Sequence, residues 1–227
     1  MKLPTIRRIM TRIRSKLKRT PPDKFLQNIS GVIHVGANTG QECELYERFG
    51  LRVLWIEPIP EVFETLKTNI KRFPNQYAIQ CLITDRDDEE YQFHIASNNG
   101  ASSSILDFHH HKDIWPDVNY SNTILLRSTT LASLFEREHL DPSLYQALVM
   151  DTQGSELLVL NGSIPLLHNF TYIKTEVADF ESYAGCCQLA DIGTFMTQHG
   201  YKEFSRNKFA NRPEGGGYFD VIYKRSA

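Results

Sequence analysis

No apolar run in these 227 residues approaches the roughly 20 positions that a helix needs to cross a bilayer, so no membrane-spanning helix is expected. Cysteine is scarce. Cys43, Cys81, Cys186 and Cys187 are the whole set, two of them adjacent, and they lack the paired spacing of a metal site. With no signal-peptide pattern, they read as reduced thiols of a cytoplasmic protein. Acid is missing from the first 20 residues, which hold eight of the 25 Lys and Arg; all 27 Asp and Glu lie beyond them. The small net charge of −2 thus conceals a strongly acidic body, a poor match for nucleic acid, and no nucleic-acid partner is expected.

The basic stretch has a pattern of its own. Leu3, Ile6, Ile9, Met10, Ile13 and Leu17 recur at steps of three and four, with Arg and Lys between them. As a helix it could lie on an anionic membrane surface, or it could pack on the domain or stay a solvated arm. Pro21-Pro22 ends it, which gives a segment 1–22 followed by one domain over 23–227. A composition of 41% hydrophobic and 23% charged residues is that of a globule, and the length suits one well-buried core.

After Pro22 the chain alternates strand and helix around GVIHVGANTGQ (Gly31–Gln41). Val32, Ile33 and Val35 form a short β-branched run that stops at Gly36, and helical periodicity resumes after Gly40. Gly36 would let a ligand approach the backbone, Asn38 tolerates positive φ, and Gly40 would pack helix on strand. A second buried strand, RVLWIEPIP (Arg52–Pro60), ends in Glu57, placed to accept hydrogen bonds from both hydroxyls of a ribose. Further strands are expected at Tyr77–Ile83, 90–96, Ile124–Arg127, Ala147–Met150, Tyr172–Val177, Tyr201–Ser205 and Tyr218–Tyr223. Helices are expected at Glu61–Lys71, Thr130–His139, Gly154–Leu160 and Leu189–His199. The polar stretch from Ser97 to Asn122 reads as a functional loop. These alternating units define an α/β, doubly wound, mostly parallel sheet.

A dinucleotide fingerprint needs glycine at three places, and aligned on Gly36 this chain has Asn38 and Gln41 at the second and third. Both would crowd a pyrophosphate. The turn suits an adenosine cofactor without phosphates, S-adenosyl-L-methionine, better than a nicotinamide dinucleotide. Further motifs follow in order: IEP (Ile56–Pro58), SSSIL (Ser102–Leu106), MDTQGSELLVLNG (Met150–Gly162), KTEV (Lys174–Val177) and GGYFDVIY (Gly216–Tyr223). Together with HVGANTGQE (His34–Glu42) they resemble the FkbM-type family of S-adenosylmethionine-dependent methyltransferases from about Val32 to Tyr223.

The resemblance implies the class I methyltransferase (Rossmann-like) fold: seven strands, the last antiparallel. It implies O-methylation of a hydroxyl on a sugar, glycan or secondary metabolite. It implies cofactor binding by His34, Gly36, Ala37, Asn38, Gly40, Glu57, Pro58, Cys81, Leu82, Asp151 and Gln153. Acceptor-binding candidates are Ser102, Ser103, His111 and Glu176. Asp151 and Glu176, at the ends of neighbouring strands, are the candidate catalytic pair, as base and orienter or as two ligands of a divalent metal. Asp151 could instead cap the following helix, and Glu176 could pair with Lys174. His34 could be a hydrogen-bonded strand histidine, and His109, His110 and His111 with Asp113 read as a solvated loop rather than a metal site. One departure stands out: where the family pattern has Thr-Leu-Asp, this chain has Thr130-Leu131-Ala132; if that acid caps the helix, Ser133 or Thr129 could substitute, and if it contacts substrate, acceptor choice has changed.

Two other classes of function compete, a nicotinamide-dependent oxidoreductase on a similar sheet and a non-catalytic S-adenosylmethionine-binding module. The N-terminal pattern makes a prediction of its own. At about 1 kcal/mol per basic residue near an anionic surface, the full chain should co-sediment with phosphatidylserine vesicles at low salt. A chain starting at Asp23 should not; equal behaviour of the two refutes membrane attachment by this segment.

Overall fold

The computed structural model describes residues 21–226, so the membrane expectation for the basic segment lies outside the described residues. A 3-10 helix, Pro21–Asn28, leads into β1 (Gly31–Val35), α1 (Cys43–Arg48), β2 (Arg52–Ile56), α2 (Pro60–Ile70) and β3 (Gln76–Ile79). The chain then makes β4 (Leu82–Ile83), β5 (Glu90–Ala96), β6 (Tyr120–Thr129) and α3 (Leu131–Arg137). It continues through β7 (Ala147–Met150), α4 (Glu156–Gly162), β8 (Tyr172–Ala178) and α5 (Leu189–Gln198), and ends with β9 (Tyr201–Asn211) and β10 (Gly217–Arg225). Among the described residues no helix is long and apolar enough to cross a membrane.

The large sheet has the order β3-β2-β1-β7-β8-β10-β9. Every residue of β1 and β7 is buried, as parallel strands covered on both faces require. On one face Tyr46 of α1 and Phe63, Leu66 and Ile70 of α2 pack over Val32, Val53 and Trp55. On the other, Leu131 and Leu134 of α3, Val159 and Leu160 of α4, and Ile192 and Phe195 of α5 cover Ile33, Leu148 and Ile173. From β1 the chain winds outward through β2 and β3, then returns to β7 on the other side of β1. Strand order therefore reverses between β1 and β7, the place where an open α/β sheet leaves a crevice for a ligand.

The seven-stranded sheet agrees with expectation, and β10 runs antiparallel to both neighbours. Three local readings are corrected. Tyr77–Ile83 is two strands, because β3 pairs with β2 while β4 leaves to pair with β6. The short strand at Ile124–Arg127 is the middle of a ten-residue strand whose first residues come from the polar stretch. Its inward Ile124 and Leu126 pack with Leu82, Phe93 and Ile59. This second sheet, in the order β4-β6-β5, stands over the crevice. The terminal pair is also longer than expected, with two register shifts along it, and β9 is the outer edge of the large sheet.

An acid from outside the helix serves the start of α3, beside Ala132. Thr130 caps α3, its side chain accepting from the Ser133 amide. Asp87, from the turn between β4 and β5, accepts from the Thr130 amide at 2.7 Å, the Thr129 hydroxyl at 2.9 Å and the Ser133 hydroxyl at 2.7 Å. These bonds, the Thr130 amide foremost, hold its carboxyl below the usual range. Asp87→Ala should therefore lower stability by about 0.5–2 kcal/mol in urea titrations and leave cofactor affinity unchanged. Because the shift is downward, the wild-type advantage is complete above the unfolded carboxyl range, near ~3.9, and disappears as pH falls below it.

Candidate active site

The β1–α1 turn is built by close approach. Gly36 has φ +78°, and a Cβ there would lie 1.9 Å from the Asp151 carbonyl oxygen, so the glycine is demanded first by the neighbouring strand end and not by a ligand. Its amide and that of Ala37 both donate to the Ile56 carbonyl at 3.0 Å. Asn38 has φ +44°, as expected of a residue that tolerates that region. Gly40 faces away from the crevice, where a Cβ would meet Leu66 of α2 at 2.7 Å.

Glu57 is the best-defined polar group of the site. Only 3% exposed, it accepts from the Asn38 amide at 2.8 Å through Oε2 and from the Ile59 amide at 2.9 Å through Oε1. Each oxygen keeps a lone pair for a ligand hydroxyl. Burial raises its pKa to about 7 against the opposing pull of these two amides, and nearby Asp151 adds to the rise.

The crevice, about 890 Å³ including the part open to solvent, is lined by the ends of β1, β2 and β7 and by Phe93 and Gly100 from the second sheet and its loop. His34, Gly36, Ala37, Asn38, Glu57, Pro58, Cys81, Leu82, Ser103, Asp151 and Gln153 all face it. His34 also has the structural role weighed against it: its Nδ1 lies 3.2 Å from the Tyr46 hydroxyl, and its ring stacks on Trp55. Burial, with Lys174 nearby, lowers its pKa to about 3, so it is neutral. Gln41, Glu42, Ile59, Ile83, Phe93 and Thr152 line the crevice as well and are not among the cofactor-binding residues expected from sequence. Of these, Gln41 and Glu42 carried a signal in HVGANTGQE and Thr152 in MDTQGSELLVLNG, as members of motifs and not as cofactor contacts.

Asp151 does not cap α4, whose N-cap is Ser155; Gln153 Nε2 donates to Asp151 Oδ1 at 2.5 Å instead. Burial raises its pKa to about 7, opposed by the Gln153 bond, and Glu156 and Glu42 raise it further. Glu176 is absent from the crevice wall. It lines a separate small cavity with Glu156 and Tyr218, and Gln153 borders both spaces. Lys174 pairs with Asp220 at 3.1 Å rather than with Glu176. Burial foremost, then Asp151 and Asp220, raise the Glu176 carboxyl well above its ordinary value.

Two acceptor candidates are likewise used internally. Ser102 Oγ receives the Asn98 amide and lies 3.1 Å from His111 Nε2, while His111, 1% exposed, stacks on Phe108. Ser103 reaches the crevice, although its Oγ accepts from the Ala96 amide. His110 and Asp113 join Arg212 in an ion-pair cluster, and among the described residues no group of His, Cys, Asp and Glu is arranged to hold a metal.

The donor set discriminates between adenosine cofactors. Glu42, Glu57 and Asp151 face the crevice, and among the described residues no Lys or Arg does. The Thr39 amide and the Gln41 side chain are both spent on Asn38 Oδ1. A pyrophosphate would find three carboxylates and few free donors, whereas a ribose and a cationic sulfonium fit.

A family model described as the methyltransferase FkbM domain matches residues 34–203. The chain belongs to the FkbM methyltransferase family, and it is an S-adenosylmethionine-dependent methyltransferase. A search of curated proteins found no match. Among solved structures, the METTL16 methyltransferase domain is similar at a TM-score of 0.54 and 10% identity, covering 100% of this chain and 71% of that one. Sp1610 of Streptococcus pneumoniae, assigned as a tRNA methyltransferase, gives 0.51 at 10% identity, covering 91% and 70%. Its complex with S-adenosyl-L-methionine gives 0.50 at 10% identity, covering 89% and 71%. At these identities the likeness is one of fold.

Ribose hydroxyls donate best to an ionised Glu57, so binding should release its proton. Affinity for S-adenosylhomocysteine, measured by calorimetry, should be greatest above about pH 7 and weaken by up to about tenfold per unit as pH falls below it. Glu57→Ala should cost about 1–3 kcal/mol of binding at pH 8 and remove the pH dependence.

Proposed function

We propose that this methyltransferase acts on a hydroxyl of a sugar, glycan or secondary metabolite, with Asp151 as the proton acceptor. The observation that carries this reading is the Asp151 carboxylate. It ends the strand beside the cofactor turn, it faces the crevice, and its pKa of about 7 suits a base at neutral pH. S-adenosylmethionine supplies an electrophilic methyl group on a sulfonium. The protein's larger contribution is to hold the acceptor oxygen in line, for which orientation supplies as much as ~7–11 kcal/mol. Removal of the hydroxyl proton adds about 3–5 kcal/mol. Ser103 stands at the acceptor side of the crevice. Ser102 and His111 shape the loop that covers the site.

A nucleic-acid acceptor is disfavoured by the acid-lined crevice, since phosphate backbones are bound by Lys and Arg. The proposal extends to the division of the chain, with 23–227 as the catalytic domain and the basic segment 1–22 as a peripheral membrane contact in the cytoplasm.

Incubation of cell extracts with S-adenosylmethionine labelled in its methyl group, followed by mass spectrometry, tests the acceptor class, with Glu57→Ala as the blank. Labelled methyl ethers of carbohydrate or small hydroxylated compounds are expected; label confined to RNA overturns the reading. With an acceptor in hand, Asp151→Asn should reduce turnover ~10²–10⁴-fold while leaving affinity for S-adenosylhomocysteine little changed.

A further inference from the structure

Gln153 adopts φ +52°, a left-handed conformation that costs a residue of its type free energy and persists only where its surroundings impose it. Three bonds impose it. Ser104 Oγ donates to the Gln153 carbonyl at 2.8 Å, the Tyr183 phenol donates to Gln153 Oε1 at 2.6 Å, and Gln153 Nε2 donates to Asp151 Oδ1 at 2.5 Å. Tyr183 is fully buried and does not line the crevice. Its ring is fixed against Phe108 and His111, and a Cβ on Gly154 would lie 3.3 Å from it.

A side-chain amide that is free to turn satisfies either state of a neighbouring carboxyl. Its NH₂ donates to a carboxylate, and its carbonyl accepts from a carboxylic acid. The phenol removes that freedom. Its proton goes to Gln153 Oε1 in preference to the Ser102 carbonyl, which is farther away at 3.3 Å, and this leaves only the NH₂ to face Asp151. We propose that Tyr183 is a positioning residue that locks the Gln153 amide as a donor and so holds Asp151 as an ionised hydrogen-bond acceptor beside the cofactor.

The surroundings show why such a lock is needed. Glu156 on α4, Glu42 before α1, Glu57 after β2 and Glu176 on β8 all raise, or are raised by, the charge on Asp151, and Lys174 on β8 is the cation that opposes them. The Gln153 bond is the main local contact that favours ionisation.

The inference rests on Asp151 as an active-site carboxylate, and the experiment separates the two. The ratio of the dissociation constants for S-adenosylhomocysteine and S-adenosylmethionine, measured by calorimetry on the full chain from about pH 5.5 to 8, reports a negative charge near the sulfonium. In the wild type this preference for the cation should rise through about pH 7. Asp151→Asn should make it flat. Tyr183→Phe, which deletes one oxygen, should move the midpoint up by roughly one pH unit. Gln153→Met keeps the packing of Tyr183 while deleting the amide, and it should move the midpoint the same way if Tyr183→Phe fails to fold. Melting temperatures recorded alongside show whether the shift follows stability, which a merely structural role would produce. A wild-type midpoint in Tyr183→Phe, or in Gln153→Met should the former not fold, overturns the inference. A wild-type profile in Asp151→Asn overturns the reading of Asp151 itself.

Discussion

Two parallel strands end side by side at Gly36 and Asp151, so closely that the Asp151 carbonyl occupies the space a side chain at 36 would need. The approach is fixed by the strand ladder, in which the Asp151 amide donates to the Val35 carbonyl at 3.0 Å. It forces the chain to turn away at Gly36, and the turn delivers the Asn38 amide to Glu57. One packing contact thus sets the distance between the group that would receive a ribose and the carboxylate that would receive a proton. Neither could move without the other, because β1, β2 and β7 are neighbours in one buried sheet.

Around that contact the protein has gathered charge of one sign. Burial penalises each of these carboxylates, and mutual repulsion raises the cost. A site built only for stability would replace them with apolar residues. Their presence fits a partner that arrives with positive charge, and the same field makes the crevice hold protons near neutral pH. In the ligand-free protein the folded state therefore binds more protons than the unfolded one between the ordinary carboxyl range and about pH 7. These groups accordingly subtract stability as pH rises through that window, and a bound cation offsets the loss.

The large sheet and its turn were legible because they are written locally. A β-branched run stops at Gly36, and a second ends at Glu57; periodicity needs no more. Sheet membership is not local, and Tyr77–Ile83 reads as one strand although its two halves belong to different sheets. The direction a side chain faces within an irregular loop is equally hidden. Ser102 and Ser103 are adjacent and chemically identical, yet only Ser103 reaches the crevice. The absence of an acid at Ala132 was visible, but the Asp87 carboxylate at the start of α3 comes from a turn more than 40 positions away and had no pattern to announce it. Tyr183 was invisible for the same reason, since its role exists only once the loop and the β7 end are folded together.

The outer edge of the large sheet carries a consequence for life at high concentration. β9 spans eleven residues and, among the described residues, pairs with a strand on one side only; its Phe204 and Phe209 are 49% and 43% exposed. Such an edge invites a second copy to add itself as the next strand, the first step toward a fibre. Lys202, Arg206 and Lys208 punctuate it, and its two register shifts with β10 break the straight row of hydrogen-bonding groups that a newcomer would have to match. The same irregularities that blur the strand in the sequence make its edge a poor template for a second copy.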